Sequence, residues 1–140
     1  MSDPMAFHAN VLKEAEVTGM VDRMVAEWGG IDVLVNNVCV GGGDHAWLLE
    51  DMPVAEWDWT MDINLKGLFN CTKAVAEVMK KGGGGKIVNM ASIAGLRMTM
   101  YGGIAYSAAK AAVLGFTRHA AFELGPYKIN VNAVCPGSTL

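Results

Sequence analysis

The sequence lacks the features by which a chain enters a membrane or binds nucleic acid. No apolar run approaches the roughly 20 residues that are needed to cross a bilayer, so we expect no membrane association. The first ten residues have neither a basic leader nor a long apolar segment, so we do not expect a secretory signal. The net charge is −3 and there is no basic tract, which argues against binding to the phosphates of nucleic acid.

Cysteine and histidine are scarce and scattered. The three cysteines, Cys39, Cys71 and Cys135, form no CxxC pair, and the three histidines are far apart in the sequence. An odd, dispersed set of thiols favours reduced cysteines over a disulfide framework, so we predict a cytoplasmic protein. The histidine spacing matches no set of metal ligands, and no metal site is predicted.

What the sequence does contain is typical of one globular α/β domain. It has 140 residues, of which 52% are hydrophobic and 18% charged, enough to bury a core. Short apolar runs alternate with longer amphipathic stretches. The patterns predict helices at residues 14–28, 57–81 (in a helical region opened by Pro53) and 105–125, and strands at residues 5–11, 31–35, 86–90 and 129–134.

The alternation of strands and helices predicts a parallel sheet. The strand at residues 31–35 is uniformly apolar, which predicts burial on both of its faces. Right-handed crossovers, however, would place all three helices on one face of the sheet and leave an apolar surface on the other. Glycine-rich residues 38–44 and 82–85 are predicted to be a loop and a turn.

The strongest chemical signal is the pair Tyr106 and Lys110 at the start of the last helix. A spacing of four places both side chains on one helical face, roughly 5–6 Å apart at Cβ. A nearby ammonium ion favours the phenolate, so the pair could act as a general acid and base on an alcohol oxygen. Such a pair also arises often by chance, and its interpretation depends on the surrounding residues.

Polar or small residues follow three of the predicted strands. Asn36 and Asn37 follow the second strand, Ser92 follows the third, and Pro136-Gly137 follows the fourth. Ligands of parallel sheets bind at the carboxyl ends of strands, so these residues are predicted to face one crevice. A serine there could hydrogen-bond a substrate oxygen opposite the tyrosine hydroxyl.

Asn64 lies inside the long predicted helix, where an amide is mildly unfavourable. One interpretation is a side chain that faces solvent. The other is an inward amide that holds a water molecule near Lys110.

Together these motifs resemble the short-chain dehydrogenase/reductase family, in the family's order and spacing, from about Met5 to Leu140. The resemblance implies a partial Rossmann-like, doubly wound parallel sheet of about four strands and three long helices, forming a single incomplete NAD(P)-binding domain over residues 1–140. It also implies an oxidoreductase that uses NAD or NADP to interconvert a secondary alcohol and a ketone, with 3-oxoacyl-carrier-protein reductase as one candidate activity.

The family's site residues can be carried over by position. Tyr106 would be the acid/base, Lys110 would assist it and contact the nicotinamide ribose, and Ser92 would polarise the carbonyl. Asn64 would hold a relay water. The cofactor would contact Asn36, Asn37, Tyr106, Lys110 and the Pro136-Gly137 turn, and Asn10 stands where the family usually has an aspartate that contacts adenine.

The sequence departs from the family at both ends and in one loop. The opening strand and glycine-rich turn that bind the cofactor's pyrophosphate are not present, nor is the substrate loop beyond residue 140. The family's Asn-Asn-Ala-Gly loop reads Asn36-Asn37-Val38-Cys39, whose bulkier residues could crowd the adenosine side. Residues 41–46 fit the pattern G-x-G-x-x-A, but no long helix follows directly, so a flexible active-site loop is the preferred interpretation.

Three functions follow from these observations. The first is an oxidoreductase of this family. The second is an inactive fragment that acts as an interaction module, because in the family the two long helices usually pack against a partner subunit. On either view we expect a homo-oligomer. The third is an unrelated nucleotide-binding module built on the loop at Gly41.

Overall fold

A three-stranded parallel sheet forms the centre of the chain, in the order β1-β2-β3. The structure is a computed structural model, and it describes residues 4–41, 48–99 and 102–137. The strands are β1 (Val33–Asn36), β2 (Gly85–Met90) and β3 (Ile129–Val134). β2 is central and pairs with both neighbours, so that Asn36 lies beside Asn89 and Asn89 beside Ala133. The predicted parallel α/β architecture is therefore confirmed.

In the described part of the chain, four α-helices connect and cover the strands. They are α1 (Glu14–Trp28), α2 (Val54–Met61), α3 (Gly67–Gly82) and α4 (Ile104–Leu124). A π-helical turn at Asp62–Lys66 joins α2 to α3, so the predicted helix at residues 57–81 begins earlier and contains an irregular turn. Short 3₁₀ turns lie at Leu49–Asp51, Ile93–Gly95 and Gly125–Tyr127.

The ends of α1 and α3 follow from local chemistry. Gly29 and Gly83 cap these helices with φ angles of 80° and 89°, a left-handed conformation that glycine adopts without steric cost. The turn after α3 is thereby tight enough for β2 to begin at Gly85. The predicted ends of α1 are confirmed. The predicted turn at residues 82–85 is shorter, at Gly83 and Gly84, because Gly82 ends α3 and Gly85 begins β2.

The main core lies between one face of the sheet and helices α1, α3 and α4. Ile87 of β2 is fully buried at its centre, because it points toward the helices from the middle strand. The other members of this cluster lie on the three helices and on β3: Val21, Val75, Ala76, Met79, Ala120, Leu124, Ile129 and Val131. Burial of aliphatic side chains on this scale is what holds α4 on the sheet.

The opposite face of the sheet is open in the described part of the chain. Val33 and Val35 of β1 are 56% and 54% exposed, and Val134 of β3 is also exposed. The prediction that residues 31–35 are buried on both faces is therefore wrong. An apolar run cannot show whether a second layer is present to cover it, whereas the crossover rule correctly predicted one bare face.

The predicted strand at residues 5–11 does not form. Residues 4–10 form no regular secondary structure, and residues 11–12 form a turn. A strand needs backbone hydrogen bonds to a neighbour, and within the described residues this segment makes none to β1, the nearest edge of the sheet. The segment is held instead by side-chain contacts: the Asn70 amide donates to the carbonyl of Val11, and the Arg23 guanidinium lies 4.9 Å from the centre of the Phe7 ring.

Among the described residues, no helix combines the length and apolar character that a membrane crossing requires.

Candidate active site

A cleft of 420 Å³ opens at the carboxyl ends of the three strands. Each strand contributes to it through the segment that follows, and α4 supplies one wall. Six of the residues predicted for the site line this cleft together: Asn37, Ser92, Tyr106, Lys110, Pro136 and Gly137. The expectation that the strand ends face one crevice agrees with this geometry, and the volume lies in the range of small-ligand sites.

Tyr106 and Lys110 lie on the same face of the first turns of α4. The Lys110 ammonium nitrogen is 5.4 Å from the centre of the Tyr106 ring, and the two side chains reach the cleft together. Lys110 is only 2% exposed, although its tip lines the cleft. Its Nζ donates a hydrogen bond of 2.8 Å to the backbone carbonyl of Met90, at the end of β2. This hydrogen bond to the end of β2 therefore fixes the position of the Lys110 ammonium group.

Burial lowers the pKa of the Lys110 ammonium, because desolvation disfavours its charged form. A negative charge on Cys39, in the loop after β1, would act in the opposite sense and raise the same pKa. A cation with one protein acceptor in a desolvated position is a suitable partner for a polar or anionic ligand.

Ser92 is placed by the turn that follows β2. Its backbone is extended, and its Oγ accepts a hydrogen bond of 3.1 Å from the amide of Ala94, which caps the 3₁₀ turn at Ile93–Gly95. Capping fixes the side chain while the hydroxyl retains its own hydrogen for donation. Ser92 can therefore donate to a substrate oxygen in the cleft.

Asn64 points into the protein, not into solvent. It lies in the π-helical turn and is 1% exposed, and its Nδ2 donates to the carbonyls of Thr60 and Val40, both at 2.9 Å. Within the described residues its Oδ1 is buried without a hydrogen-bond partner. The inward interpretation fits this geometry, because a buried acceptor of this kind is a place for an ordered water molecule.

Asn36 and Asn37 point to opposite sides. Asn37 is exposed and lines the cleft. Asn36 is buried, and its Nδ2 donates to Thr72 Oγ1 and to Asn89 Oδ1, both at 2.9 Å. The Asn36 amide group is therefore already hydrogen-bonded within the protein, so it can contribute to cofactor binding only indirectly.

Asn10 lies apart from the residues that line the cleft. Its Oδ1 accepts from the amide of Leu12, which makes a local turn before α1. Its own backbone amide donates to Glu16 at 2.8 Å, and this bond, with Lys13 nearby, holds the pKa of the Glu16 carboxyl below its usual value. The side chain is exposed, so it remains accessible to a ligand.

Several residues that shape the site were missed from the sequence. The Met90 carbonyl that binds Lys110 carries no side-chain signal. Gly95 has one, since it follows a capping serine. Cys39 was already named as a bulkier residue of the loop after β1, and it lines the cleft. Asn89 also had a signal, because it is a polar residue in an otherwise apolar buried strand. The loop considered at residues 41–46 lies outside the described residues, apart from Gly41, which lines the cleft.

Comparison with known proteins agrees with this arrangement. The family model for short chain dehydrogenase matches residues 2–140. A 3-oxoacyl-[acyl-carrier-protein] reductase of Synechocystis sp. is 42% identical over 135 residues, which are 96% of this chain and 53% of that protein.

Solved structures show the same fold. The crystal structure of NAD⁺-bound xylitol dehydrogenase superposes with a TM-score of 0.88 and 37% identity, over 94% of this chain and 49% of that one. ElxO with NADP bound gives a TM-score of 0.87 and 34% identity, over 94% of this chain and 52% of that one.

The chain spans about half the length of the relatives that it matches. The fold is Rossmann-like, and the match to the family model extends over nearly every residue. On this evidence the chain belongs to the short-chain dehydrogenase/reductase family.

Proposed function

We propose that this chain carries the catalytic half of an NAD(P)-dependent oxidoreductase that interconverts a secondary alcohol and a ketone. The observation that carries the proposal is the convergence of Ser92, Tyr106 and Lys110 on one cleft at the carboxyl ends of the strands. A hydroxyl donor, a phenol and a buried ammonium are the groups that a carbonyl oxygen needs when it gains or loses a proton. This arrangement favours an enzyme over an inactive interaction module.

Each residue has a separate task in the proposed reaction. Ser92 donates a hydrogen bond to the carbonyl oxygen and orients it toward Tyr106. The Tyr106 hydroxyl gives its proton to that oxygen during reduction and takes it back during oxidation. Lys110 stabilises the phenolate that remains, because its ammonium is held near the ring by the Met90 carbonyl. Asn64 offers its buried Oδ1 to a water molecule that returns a proton from solvent.

The residues present fit the nicotinamide end of the cofactor. When bound, the nicotinamide supplies or accepts the hydride. Lys110 and Tyr106 would hold the adjoining ribose, and the exposed Pro136-Gly137 turn and Asn37 would line its pocket. Asn10, proposed for the adenine, lies away from the cleft, and Asn36 would act only by supporting Asn37. We propose NAD or NADP, because relatives of similar identity are NAD⁺-bound and NADP-bound proteins.

The substrate proposed is a small-molecule ketone or alcohol of the 3-oxoacyl type. Support comes from the reductase of Synechocystis sp., which is 42% identical to this chain. We also propose that residues 1–140 form a single incomplete domain, and that the protein works in the cytoplasm, where its three free cysteines stay reduced.

We further propose that the protein forms a homo-oligomer through α3 and α4. A groove between these helices is lined by Phe69, Phe116 and Leu124 with Glu77 and His119, and Phe122 beside it is 79% exposed. Apolar groups in a polar surround are typical of protein interfaces. A Phe122→Asp variant should shift the sedimentation coefficient toward the monomer, and an unchanged coefficient would contradict this interface.

The test of the activity is an assay of the purified chain with NADH or NADPH and a 3-oxoacyl thioester. Loss of reduced-nicotinamide absorbance should be measured for the wild type, for Tyr106→Phe and for Tyr127→Phe as a matched control. Removing the Tyr106 hydroxyl should reduce the rate by about 10²- to 10⁴-fold. Tyr127 lies in the 3₁₀ turn before β3, so its variant should keep the wild-type rate. Equal rates for all three proteins would contradict the proposed role of Tyr106.

A further inference from the structure

A chain of buried hydrogen bonds crosses the molecule from α3 to α4 through two strands. Asn36 of β1 donates to Thr72 of α3 and to Asn89 of β2, each at 2.9 Å. Asn89 then donates to Thr117 Oγ1 of α4 at 2.9 Å, and Thr117 donates to the carbonyl of Val113 at 2.7 Å. Each of the four side chains therefore has a partner on a different element, and Thr117 has a second one on its own helix.

These four side chains are buried where apolar residues would pack as well. Asn89 is 0% exposed and is the fifth of the six residues of the middle strand. A buried amide is tolerated only while its hydrogen bonds are made, and a shift of α4 along the sheet would take the Thr117 acceptor away from the Asn89 Nδ2. An apolar contact tolerates such a shift, whereas a hydrogen bond between fixed partners does not. The bond between Asn89 and Thr117 therefore specifies the position of α4.

Met90, the next residue of β2, binds the lysine that lines the cleft. The carbonyl of Met90, directly after Asn89, accepts the hydrogen bond from Lys110 at 2.8 Å. Lys110 lies two helical turns before Thr117, on the same buried face of α4. Two successive residues of β2 are thus hydrogen-bonded to α4: Asn89 through its side chain and Met90 through its backbone carbonyl.

We infer that Asn89 and Thr117 are positioning residues, which hold α4 in the register where the Lys110 ammonium meets the Met90 carbonyl and Tyr106 faces the cleft. We call the hydrogen-bonded set of Asn36, Thr72, Asn89 and Thr117 the clamp. Through Asn36 and Thr72 it also joins α3 to the end of β1, where Asn37 lines the cleft. The inference deepens the proposed oxidoreductase function and rests on it for its kinetic consequence only. Its structural consequence can be measured without any turnover.

The experiment is site-resolved acetylation of lysines with acetic anhydride, followed by mass spectrometry. In the wild type Lys110 should react slowly, because it is buried and hydrogen-bonded, and exposed Lys81 serves as the reference in the same sample. Thr117→Val keeps the side-chain shape and removes the hydroxyl. It should raise the rate at Lys110 relative to Lys81 by roughly fivefold or more, and Thr117→Ser should restore the slow rate.

A matched control separates positioning from general instability. Val17→Ala creates a buried cavity on α1, a helix that makes none of these hydrogen bonds, and should leave the relative rate at Lys110 near that of the wild type. If Thr117→Val raises this rate no more than Val17→Ala does, or if Thr117→Ser fails to restore it, the inference is wrong.

Kinetics with a 3-oxoacyl thioester and NADPH provide the second readout. Thr117→Val should lower kcat by roughly tenfold or more while KM stays within about twofold, because the substrate still binds but the proton donor is displaced. A selective rise in Lys110 acetylation without turnover in any variant would support the clamp and overturn the proposed activity instead.

Discussion

The α-carbon of Gly95 lies against the backbone of Lys110. A methyl group at Gly95 would come within 2.7 Å of the Lys110 carbonyl carbon and oxygen, and within 2.9 Å of the next backbone nitrogen. The turn that holds Ser92 and the helix that holds Lys110 therefore meet backbone to backbone. This close approach brings the serine hydroxyl and the ammonium to the same cleft.

Gly95→Ala should disturb the site because backbone atoms cannot rotate away from the new methyl group. We expect the free energy of unfolding to fall by about 1–3 kcal/mol, with α4 displaced from the turn. Denaturant titration measures this change. Gly19→Ala is the control, because Gly19 is on the exposed face of α1 and a methyl group there meets nothing within 4 Å. It should raise the free energy of unfolding by about 0.5–1 kcal/mol. Gly95→Ala at wild-type stability would contradict the contact.

The two faces of the sheet should respond differently to truncation. Ile87→Ala removes a fully buried side chain from the core, so we expect a loss of about 2–5 kcal/mol in the free energy of unfolding. Val35→Ala, on the open face, should cost less than about 0.5 kcal/mol. A large loss at Val35 in the purified chain would mean that this face is covered in solution.

The three cysteines should differ in their rate of alkylation. Cys39 is exposed and lines the cleft, whereas Cys71 and Cys135 are partly buried. Burial also raises the pKa of the Cys71 thiol, so less of its reactive thiolate is present near neutral pH. Mass spectrometry after brief iodoacetamide treatment should find Cys39 labelled first and Cys71 later, and added NADPH should slow only Cys39. Faster labelling of Cys71 would contradict its burial.

Lys110→Met should separate stability from function. Because burial lowers the pKa of Lys110 in the folded chain, the unfolded chain binds more protons between the two pKa values, and wild-type stability rises with pH across that window. The methionine variant lacks this rise. At about pH 7 its free energy of unfolding should be similar to or above that of the wild type, since a buried charge is gone.

Denaturant midpoints of wild type and Lys110→Met, compared from about pH 7 to about pH 10, measure this effect. The advantage of the variant should shrink as the pH rises, while its reductase activity stays low at every pH. An advantage that grows with pH would mean that the ammonium is stabilised where it lies.

Local patterns were sufficient to predict α1 and β3, whose observed bounds are those of the predicted segments. They were also sufficient to predict that three strand ends share a cleft, because parallel strands all end on the same edge of a sheet. Residues 5–11 failed because strand formation depends on a neighbour that the segment's own pattern does not reveal. The π-helical turn at Asn64 was missed for a similar reason, since its amide is fixed by the distant carbonyl of Val40.

The partners of polar side chains were the least predictable part of the site. Asn36 and Asn89 are 53 residues apart, and Asn89 and Thr117 are 28 apart, so nothing in the local sequence links them. Asn36 was assigned to the cofactor on the basis of position in a motif, and the direction of its side chain needed the fold. A polar residue in an apolar strand does, however, indicate a buried hydrogen bond, even when its partner is unknown.

The central claim is that the cleft at the carboxyl ends of the strands binds the nicotinamide end of the cofactor. Calorimetric titration of NADH, and then NADPH, into the purified chain tests this most directly, with Lys110→Met as the comparison and Lys81→Met as a surface control. The account predicts micromolar binding that weakens at least about tenfold in Lys110→Met and is unchanged in Lys81→Met. A folded chain that binds neither cofactor, or binds equally well without Lys110, would contradict it.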